Sequence, residues 1–276
     1  GVETSRKHLD DLCGKLGTKF DAEFFESQSA PIGKELVLAH TGPVFEESDG
    51  ATVYKGEQDG LHTRVFLNSQ GLPTYEAKDL GLFELKRKAY PDFDITVTDT
   101  GSEQKEYFKV LYAAVRKVFP GTADKSLLHT AHGFLKLTTG KMSSRLGNVI
   151  TGESLIENQI AASKEKMEGR ELKDAEKAAE QVAVGAIKYA VLKQGSGRDI
   201  VFDPEKSLSL EGDSGPYLQY ARVRALSLLK KAEEAGIEAG VQDMPERAHA
   251  LERVLLHYAD ALERAARELE PHYVTT

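Results

Sequence analysis

The distribution of apolar residues divides the chain into two parts. Over the first 150 residues, short apolar runs typical of strands alternate with segments whose apolar residues recur every three or four positions, as on one face of a helix. This alternation predicts an α/β domain with a mostly parallel sheet. The predicted helices include residues 9–16, 32–39, 76–88 and 102–118, and the predicted strands are residues 44–47, 51–54, 64–67, 93–98, 127–130 and 134–137.

Beyond about residue 150 the strand pattern nearly disappears. Helical periodicity covers residues 152–168, 173–194, 215–235 and 245–269, which predicts a bundle of helices. We therefore predict one domain over residues 1–150 and a second, all-helical one over residues 151–276. The last helical segment carries an apolar stripe that we expect to face the core of the bundle; its members are Leu251, Val254, Leu255, Tyr258, Leu262, Ala265 and Leu269.

Composition places the chain among globular proteins. Of its 276 residues, 40% are hydrophobic and 29% are charged, so the chain can bury a sizeable core. No apolar run is long enough to cross a membrane and no secretory signal is visible, so we expect a cytoplasmic protein without a membrane partner. The single cysteine, Cys13, excludes an intramolecular disulfide. The net charge of −8 argues against non-specific binding of nucleic acid, so any such contact must use a local patch.

A basic loop at residues 141–148 carries the clearest chemical signal. It reads Lys-Met-Ser-Ser-Arg-Leu-Gly-Asn. Cations offset the charge of phosphate oxygens, and hydroxyls and loop amides donate hydrogen bonds to them, so this set suits a polyphosphate. The alternative is a solvated basic loop without a ligand.

Two further groups lie where predicted helices begin. Gly101 and Glu103 stand at a strand-to-helix junction, where open α/β sheets bind ligands, and a carboxylate there can accept hydrogen bonds from ribose hydroxyls. Tyr75 and Asp79 are four residues apart and share one helix face, so together they could clamp a cation such as a guanidinium. An ordinary helix N-terminus and a surface i,i+4 pair are the alternatives.

Other catalytic arrangements have little support in the sequence. His129 and His132 have no third metal ligand close to them in the sequence, so we expect no metal held by the protein. No Gly-x-Ser-x-Gly elbow, Walker-type loop or three-glycine dinucleotide fingerprint is present.

The order of the motifs along the chain is informative. Residues 72–79, 101–104, 132–137, 141–148, 199–203 and 214–222 resemble, in this order, the landmarks of class I arginyl-tRNA synthetases. The resemblance extends over nearly the whole chain. The run Gly-Pro-Tyr-Leu-Gln-Tyr-Ala at residues 215–221 is fairly specific to arginyl enzymes, whereas the Lys-Met-Ser loop marks class I synthetases in general.

The resemblance implies a fold and an activity. The fold is part of a Rossmann-like nucleotide-binding catalytic domain with a parallel sheet, followed by an all-α bundle of the anticodon-binding type. The activity is ATP-dependent activation of L-arginine and its transfer to tRNA, with Mg²⁺ expected but not bound at a dedicated protein site. Catalysis would rest on alignment and charge stabilisation, without a covalent enzyme intermediate. We expect the complete enzyme to be a monomer.

The same resemblance implies roles for individual residues. Arginine would be bound by Tyr75, Asp79 and Gln104. ATP would be bound by Gly101, Glu103, His132, Gly133, Lys141, Met142 and Ser143, and the catalytic residues among them are Lys141 and Ser143, which would face the triphosphate. In the helical part, contacts to tRNA phosphates could come from Arg222, Arg224, Lys230 and Lys231, although scattered basic residues more often form a solvated helix face.

The chain departs from the family pattern in three places. No His-x-Gly-His element is present, since Pro43 replaces the second histidine in the stretch at residues 40–43. We therefore expect half of the ATP site and half of the parallel sheet to be missing, and the chain to be a fragment that is inactive alone. Ser144 stands where many class I enzymes have a second lysine, and Glu103 is one methylene longer than the usual aspartate.

Two other functions remain open. A non-catalytic synthetase-like paralogue could use the scaffold to bind tRNA or a protein; the missing half favours this, whereas the retained Tyr75, Asp79, Gln104 and Lys141 disfavour it. A synthetase for a hydrophobic amino acid would leave the carboxylate of Asp79 buried and unpaired, at a cost of about 1–3 kcal/mol.

Overall fold

The computed structural model describes residues 1–138, 151–169, 171, 173–238, 240 and 249–275. In chain order the helices are α1 (Val2–Lys15), α2 (Glu26–Ala39), α3 (Tyr75–Ala89), α4 (Lys105–Val118), α5 (Gly152–Lys166), α6 (Ala175–Leu192), α7 (Pro204–Ser207), α8 (Gly215–Glu234), α9 (Ala250–Leu256), α10 (Tyr258–Glu268) and α11 (His272–Thr275). The strands are β1 (Glu46–Ser48), β2 (Ala51–Tyr54), β3 (Arg64–Leu67), β4 (Ile95–Gly101), β5 (Ser126–His132), β6 (Leu135–Leu137) and β7 (Ile200–Phe202).

These elements form two compact units. One unit is Phe20–His132, and the other combines Gly1–Lys19 with Gly133–Thr276. The domain boundary was predicted near residue 150, and residues 139–150 lie outside the described part of the chain. The boundary therefore stays a prediction. No helix in the described ranges has both the length and the apolar character needed to cross a lipid bilayer.

The unit Phe20–His132 contains an antiparallel sheet and a parallel strand pair. Strands β1, β2 and β3 pair antiparallel in that order, while β4 and β5 pair in parallel and are connected by α4. The β1–β2 hairpin forms at the predicted position because Asp49 and Gly50 both take positive φ angles, 50° and 77°, as a tight two-residue turn requires. The predicted parallel strands are therefore present, and the three-stranded sheet adds an antiparallel component.

The core of this unit is built from aromatic residues and one face of α4. The rings of Phe45 and Phe66 lie 4.7 Å apart, and that of Tyr54 lies 6.3 Å from each of them. Helix α4 buries apolar side chains that recur every three or four positions; they are Tyr107, Phe108, Val110, Leu111, Ala114, Val115 and Val118. Tyr107, at the start of this face, is therefore fixed by core packing.

Helices α2 and α3 approach each other closely through small residues. A Cβ added to Gly33 would lie 1.8 Å from the carbonyl oxygen of Ala77, and one added to Gly81 would lie 2.0 Å from that of Ser29. Distances this short cannot be relieved by a side-chain rotation, because the atoms on the other side belong to the backbone. The contact therefore fixes the position of α3 against α2.

The second unit is mainly helical and contains one parallel strand pair. Strand β6 pairs with β7, and Ile156, Ile187 and Phe202 form its buried cluster. Side chains cap several helix starts by accepting a backbone N–H, as Thr151 does for Ser154 at 3.1 Å and Ser214 does for Tyr217 at 3.2 Å.

The predicted elements are largely present, with some differences. Helices α1 and α2 begin seven and six residues before the predicted helices, and β7 and α7 were not predicted. The helix predicted over 245–269 is two helices that meet at His257, and residues 241–248 lie outside the described part. Most of the apolar stripe on these helices is exposed, at 68% for Leu251 and 69% for Val254. The prediction that it faces a core was wrong for these residues, because periodicity shows which residues share a face but not what covers that face.

We predict that Gly33→Ala destabilises the Phe20–His132 unit by about 3 kcal/mol or more, because the new methyl group forces the backbones of α2 and α3 apart. The measurement is the free energy of unfolding in urea, followed by circular dichroism. Gly14→Ala is the matched control: its added Cβ would have no atom within 4 Å, so we expect no loss and a gain of up to about 1 kcal/mol. A similar free energy of unfolding for both variants would contradict the close contact.

Candidate functional site

Tyr75 and Asp79 lie one helical turn apart at the start of α3. The start of this helix is held to β3, because the hydroxyl of Thr74 donates to the carbonyl oxygen of Val65 at 2.7 Å. The Tyr75 ring is 72% exposed, and the ammonium of Lys78 lies 5.0 Å from its centroid. The two candidate clamp residues therefore share one end of a helix, with Tyr75 at the surface and Asp79 half-buried.

The carboxylate of Asp79 is bound by a tyrosine that sequence reasoning did not select. The hydroxyl of Tyr107 donates to Asp79 Oδ2 at 2.5 Å. Burial raises the pKa of Asp79 above its ordinary value, and this effect outweighs the hydrogen bond from Tyr107, which lowers the pKa. Within the described residues, no Lys, Arg or His nitrogen lies within 4.0 Å of this carboxylate. Asp79 is thus a desolvated acid whose hydrogen-bond donor is neutral.

A cavity of about 200 Å³ lies beside Asp79, between α3, α4 and β4. Its walls are mainly apolar, with three threonines from one face of β4 and Lys86 from α3. The lining residues are Asp79, Leu82, Phe83, Lys86, Thr96, Thr98, Thr100, Phe108, Leu111, Tyr112 and Val115. Apolar walls next to a carboxylate suit a ligand with a short aliphatic arm and a cationic end.

Two cations near the start of α3 have carboxylate partners of their own. Arg64 on β3 donates to Glu76 at 3.1 Å, and its guanidinium lies 5.3 Å from the centroid of the Tyr107 ring. Lys78 donates to Glu26 at 2.7 Å. The cation that lowers the pKa of Asp79 is Lys86, which also lines the cavity but lies more than 4.0 Å from the carboxylate.

A second group of predicted residues meets at the carboxyl ends of β4 and β5. Gly101 and His132 are directly opposite each other in the parallel pair. The ring of His132 contacts Asp99 at 3.2 Å, and Glu103 and Gln104 lie on the short 3₁₀ turn that follows β4. The structure therefore brings four predicted residues to the edge of the sheet where α/β folds bind ligands.

The remaining predicted residues lie elsewhere. Gly133 belongs to the other unit, where an added Cβ would lie 2.1 Å from the carbonyl oxygen of Arg198, so packing alone requires a glycine there. The predicted catalytic and triphosphate residues Lys141, Met142 and Ser143 lie outside the described residues.

The four basic residues predicted to contact tRNA lie on α8. Arg222, Arg224, Lys230 and Lys231 are all exposed. Arg224 donates to the hydroxyl of Tyr220 at 2.9 Å, and Lys230 lies 3.7 Å from Glu234. An exposed basic row of this kind is compatible with phosphate contacts and with a solvated face.

Comparison with known proteins decides the family. Residues 26–204 match the family model described as tRNA synthetases class I (R), catalytic domain. The chain belongs to the class I arginyl-tRNA synthetase family. Residues 218–276 match the DALR anticodon binding domain. The resemblance drawn from the order of the motifs is thereby confirmed, as is the fold class.

Relatives and solved structures agree with this family. The arginine–tRNA ligases of Bacteroides thetaiotaomicron, Treponema denticola and Borreliella burgdorferi are 30%, 33% and 34% identical to the chain over 96%, 95% and 94% of its length. The matches cover 46%, 46% and 47% of those proteins, so the chain spans about half the length of the curated relatives it matches.

Two solved structures show the same fold. Thermus thermophilus arginyl-tRNA synthetase superposes with a TM-score of 0.77 at 26% identity, over 96% of this chain and 51% of the other. The Plasmodium falciparum arginyl-tRNA synthetase gives a TM-score of 0.78 at 19% identity, over 99% of this chain and 48% of the other, and this match speaks for the fold alone.

Sequence reasoning missed Tyr107, which binds Asp79, and Arg64, which lies over the Tyr107 ring. Tyr107 belongs to the apolar stripe of α4, and the sequence analysis gave it no role beyond that helix. Arg64 lies on strand β3 and was likewise given no role. His129, considered above as a metal ligand, stacks on Phe108 with ring centroids 4.3 Å apart. Its Nε2 lies 2.8 Å from the hydroxyl of Thr100, and burial lowers the pKa of the imidazole. The periodicity of α4 indicated that Tyr107 is buried, which for a phenol implies a hydrogen-bond partner.

We predict that Asp79→Asn raises the midpoint of thermal unfolding at pH 7, because the amide removes a partly desolvated charge. The difference between the unfolding midpoints of Asp79→Asn and the unchanged protein should shrink as the pH falls through the raised pKa of Asp79. Protonation then removes the charge of Asp79 in the unchanged protein as well.

Asp59→Asn is the control with the opposite sign. The pKa of Asp59 is lowered by hydrogen bonds from Lys117 and Tyr54, so its charge stabilises the fold at neutral pH and this contribution is lost in acid. Asp59→Asn should therefore lower the midpoint at pH 7. If Asp79→Asn also lowered the midpoint of thermal unfolding at pH 7, the charge of Asp79 would stabilise the fold, which would contradict the raised pKa of this carboxyl.

Proposed function

We propose that this chain carries the arginine-binding part of an arginyl-tRNA synthetase, which activates L-arginine with ATP and transfers it to tRNA. The observation that carries this proposal is Asp79, a desolvated carboxylate next to a partly apolar cavity and without a cationic partner among the described residues. A guanidinium supplies a permanent positive charge and a planar set of N–H donors that matches a carboxylate. The aliphatic arm of arginine suits the apolar cavity walls.

The proposed arginine site uses three residues from two helix starts. Asp79 binds the guanidinium, and the exposed Tyr75 lies one turn away, where its ring can cover the aliphatic arm. Gln104, on the turn after β4, contacts the same substrate from the sheet edge. This assignment places the α-carboxylate of arginine toward the carboxyl ends of β4 and β5.

ATP is proposed to bind at that sheet edge. Gly101 gives the backbone room beside the nucleotide, Glu103 accepts hydrogen bonds from the ribose, and His132 and Gly133 lie beside the adenine. In the loop that follows, Met142 seats the nucleotide, while Lys141 and Ser143 contact the triphosphate. Mg²⁺ is taken as part of the nucleotide substrate.

The proposed reaction needs alignment rather than a covalent enzyme intermediate. A carboxylate oxygen of arginine attacks the α-phosphorus of ATP, the bond to pyrophosphate breaks, and arginyl-adenylate forms. A ribose hydroxyl of the terminal adenosine of tRNA then attacks the adenylate carbonyl, and AMP leaves. Lys141 offsets the negative charge that develops on phosphate oxygens in the first step.

The proposal extends to the helical part and the setting of the enzyme. Residues 151–276 form the linker and the anticodon-binding bundle, and α8 contacts tRNA phosphates through Arg222, Arg224, Lys230 and Lys231. Residues 1–150 belong to the catalytic domain. We propose a monomeric enzyme that acts in the cytoplasm.

We predict that the chain binds L-arginine at least about tenfold more tightly than L-citrulline, whose side chain has the same shape without the charge. Asp79→Asn should abolish this preference, because the neutral amide no longer favours a cation. Isothermal titration calorimetry measures both affinities. The control Asp59→Asn, with its carboxylate bound to Tyr54 and Lys117, should keep the preference. Equal binding of both ligands by the unchanged chain would refute the proposed site.

We also predict that the chain by itself does not aminoacylate tRNA. No His-x-Gly-His element occurs in its sequence, so it lacks one of the two elements with which class I enzymes hold ATP. The measurement is the charging of tRNA with labelled arginine and ATP. Robust charging would contradict the expectation that half of the ATP site is absent.

A further inference from the structure

We propose that Tyr107 is a positioning residue for arginine recognition: its buried hydroxyl holds the carboxylate of Asp79 in the orientation that receives the guanidinium. This inference rests on the arginine site proposed above. It adds a residue from α4 that touches the acid rather than the substrate.

The first argument is the geometry of the contact. Tyr107 is 7% exposed, and its hydroxyl lies 2.5 Å from Asp79 Oδ2. Hydrogen bonds between a hydroxyl and a carboxylate are short and stronger than neutral ones. Among the described residues, Tyr107 is the one hydrogen-bond donor to the Asp79 side chain, so the direction of the carboxylate depends on this bond.

The second argument is that the donor cannot move. The Tyr107 ring packs edge-on against Phe108, with centroids 5.1 Å apart, and the guanidinium of Arg64 lies over its face. Arg64 is itself held by Glu76. Residues of β3, α3 and α4 therefore hold the Tyr107 ring in place. A hydrogen-bond donor fixed by packing gives the Asp79 carboxylate one orientation before the ligand binds.

The third argument concerns the charge of Asp79. Burial favours the protonated acid, whereas the bond from Tyr107 favours the carboxylate. The other charged or titratable groups that act on Asp79 are either more distant or acidic; they are Lys86 and Glu76 on α3, Glu26 on α2 and Tyr112 on α4. The bond from Tyr107 thus favours the ionised form of Asp79, which a cationic ligand requires, and it aligns the carboxylate.

The test compares Tyr107→Phe with Tyr54→Phe. Tyr54 is another buried tyrosine of the same unit whose hydroxyl donates to Asp59 Oδ2, also at 2.5 Å, so the control removes the same kind of bond at another place. Two quantities are measured on the full chain: the pKa of the Asp79 carboxyl by carbon NMR, and the dissociation constant of L-arginine by calorimetry as a function of pH.

We expect Tyr107→Phe to raise the pKa of Asp79 and to weaken arginine binding about tenfold to a hundredfold. The pH below which arginine binding is lost should rise with the pKa of Asp79, a change that a general loss of stability would not produce. Tyr54→Phe should leave both quantities unchanged. In an Asp79→Asn background, Tyr107→Phe should add little further loss, because the two residues act through one contact.

Each contrary outcome has a distinct meaning. An unchanged Asp79 pKa, or an unchanged arginine affinity in Tyr107→Phe, overturns the positioning role while leaving the proposed function intact. If the unchanged chain does not bind arginine, the proposed function is refuted instead. In that case an Asp79 pKa that stays the same in Tyr107→Phe would also refute the coupling between Tyr107 and Asp79. If Tyr107→Phe lowers the folded fraction, the Asp79 pKa is read from the folded signals, so a folding defect is not mistaken for a loss of positioning.

Discussion

The backbone contact between α2 and α3 determines where the candidate arginine site lies. Ala77 and Gly81 face α2 through Gly33 and Ser29, so the opposite side of α3 turns inward, toward α4 and β4. Asp79 lies between Ala77 and Gly81 in sequence and therefore on that inward side. Its burial is a consequence of how tightly two helices pack, and not of any preference of a carboxylate for the interior.

Among the described residues, the half-buried carboxylate of Asp79 has no ion pair within 4.0 Å. Arg64 and Lys78 both lie near the start of α3, and each is paired with a glutamate, Glu76 and Glu26. A buried acid without a cation reduces stability, and proteins retain such features where binding or catalysis uses them. The fold thus carries a cost at Asp79 that a bound guanidinium would offset.

Local sequence patterns predicted most elements because the reasons for them are local. Strand β3 has the predicted bounds, and the Asp49–Gly50 turn follows from two residues that tolerate positive φ. The pairing of Tyr75 with Asp79 also came from local spacing. The hydrogen-bond partner of Asp79 is Tyr107, 28 positions away on another helix, and no spacing rule connects these two residues.

The same limit explains the exposed apolar stripe of α9 and α10. Periodicity correctly identified apolar residues on a helical segment, and the break at His257 divides that segment into two helices. What covers such a face depends on residues far away in the sequence, so the pattern could not reveal that Leu251 and Val254 are exposed in the described part of the chain.

The arrangement around Asp79 favours a guanidinium over other amino-acid side chains for physical reasons. A hydrophobic side chain would occupy the cavity of about 200 Å³ but would leave the desolvated carboxylate without a cation. An ammonium is a compact charge with strong hydration, whereas a guanidinium is planar and less strongly hydrated. With Tyr107 holding one side of Oδ2, the remaining lone pairs of the carboxylate lie in a fixed plane. Two parallel N–H groups match that plane and a single ammonium does not, so in the proposed site the oriented acid would turn charge attraction into selectivity for a guanidinium.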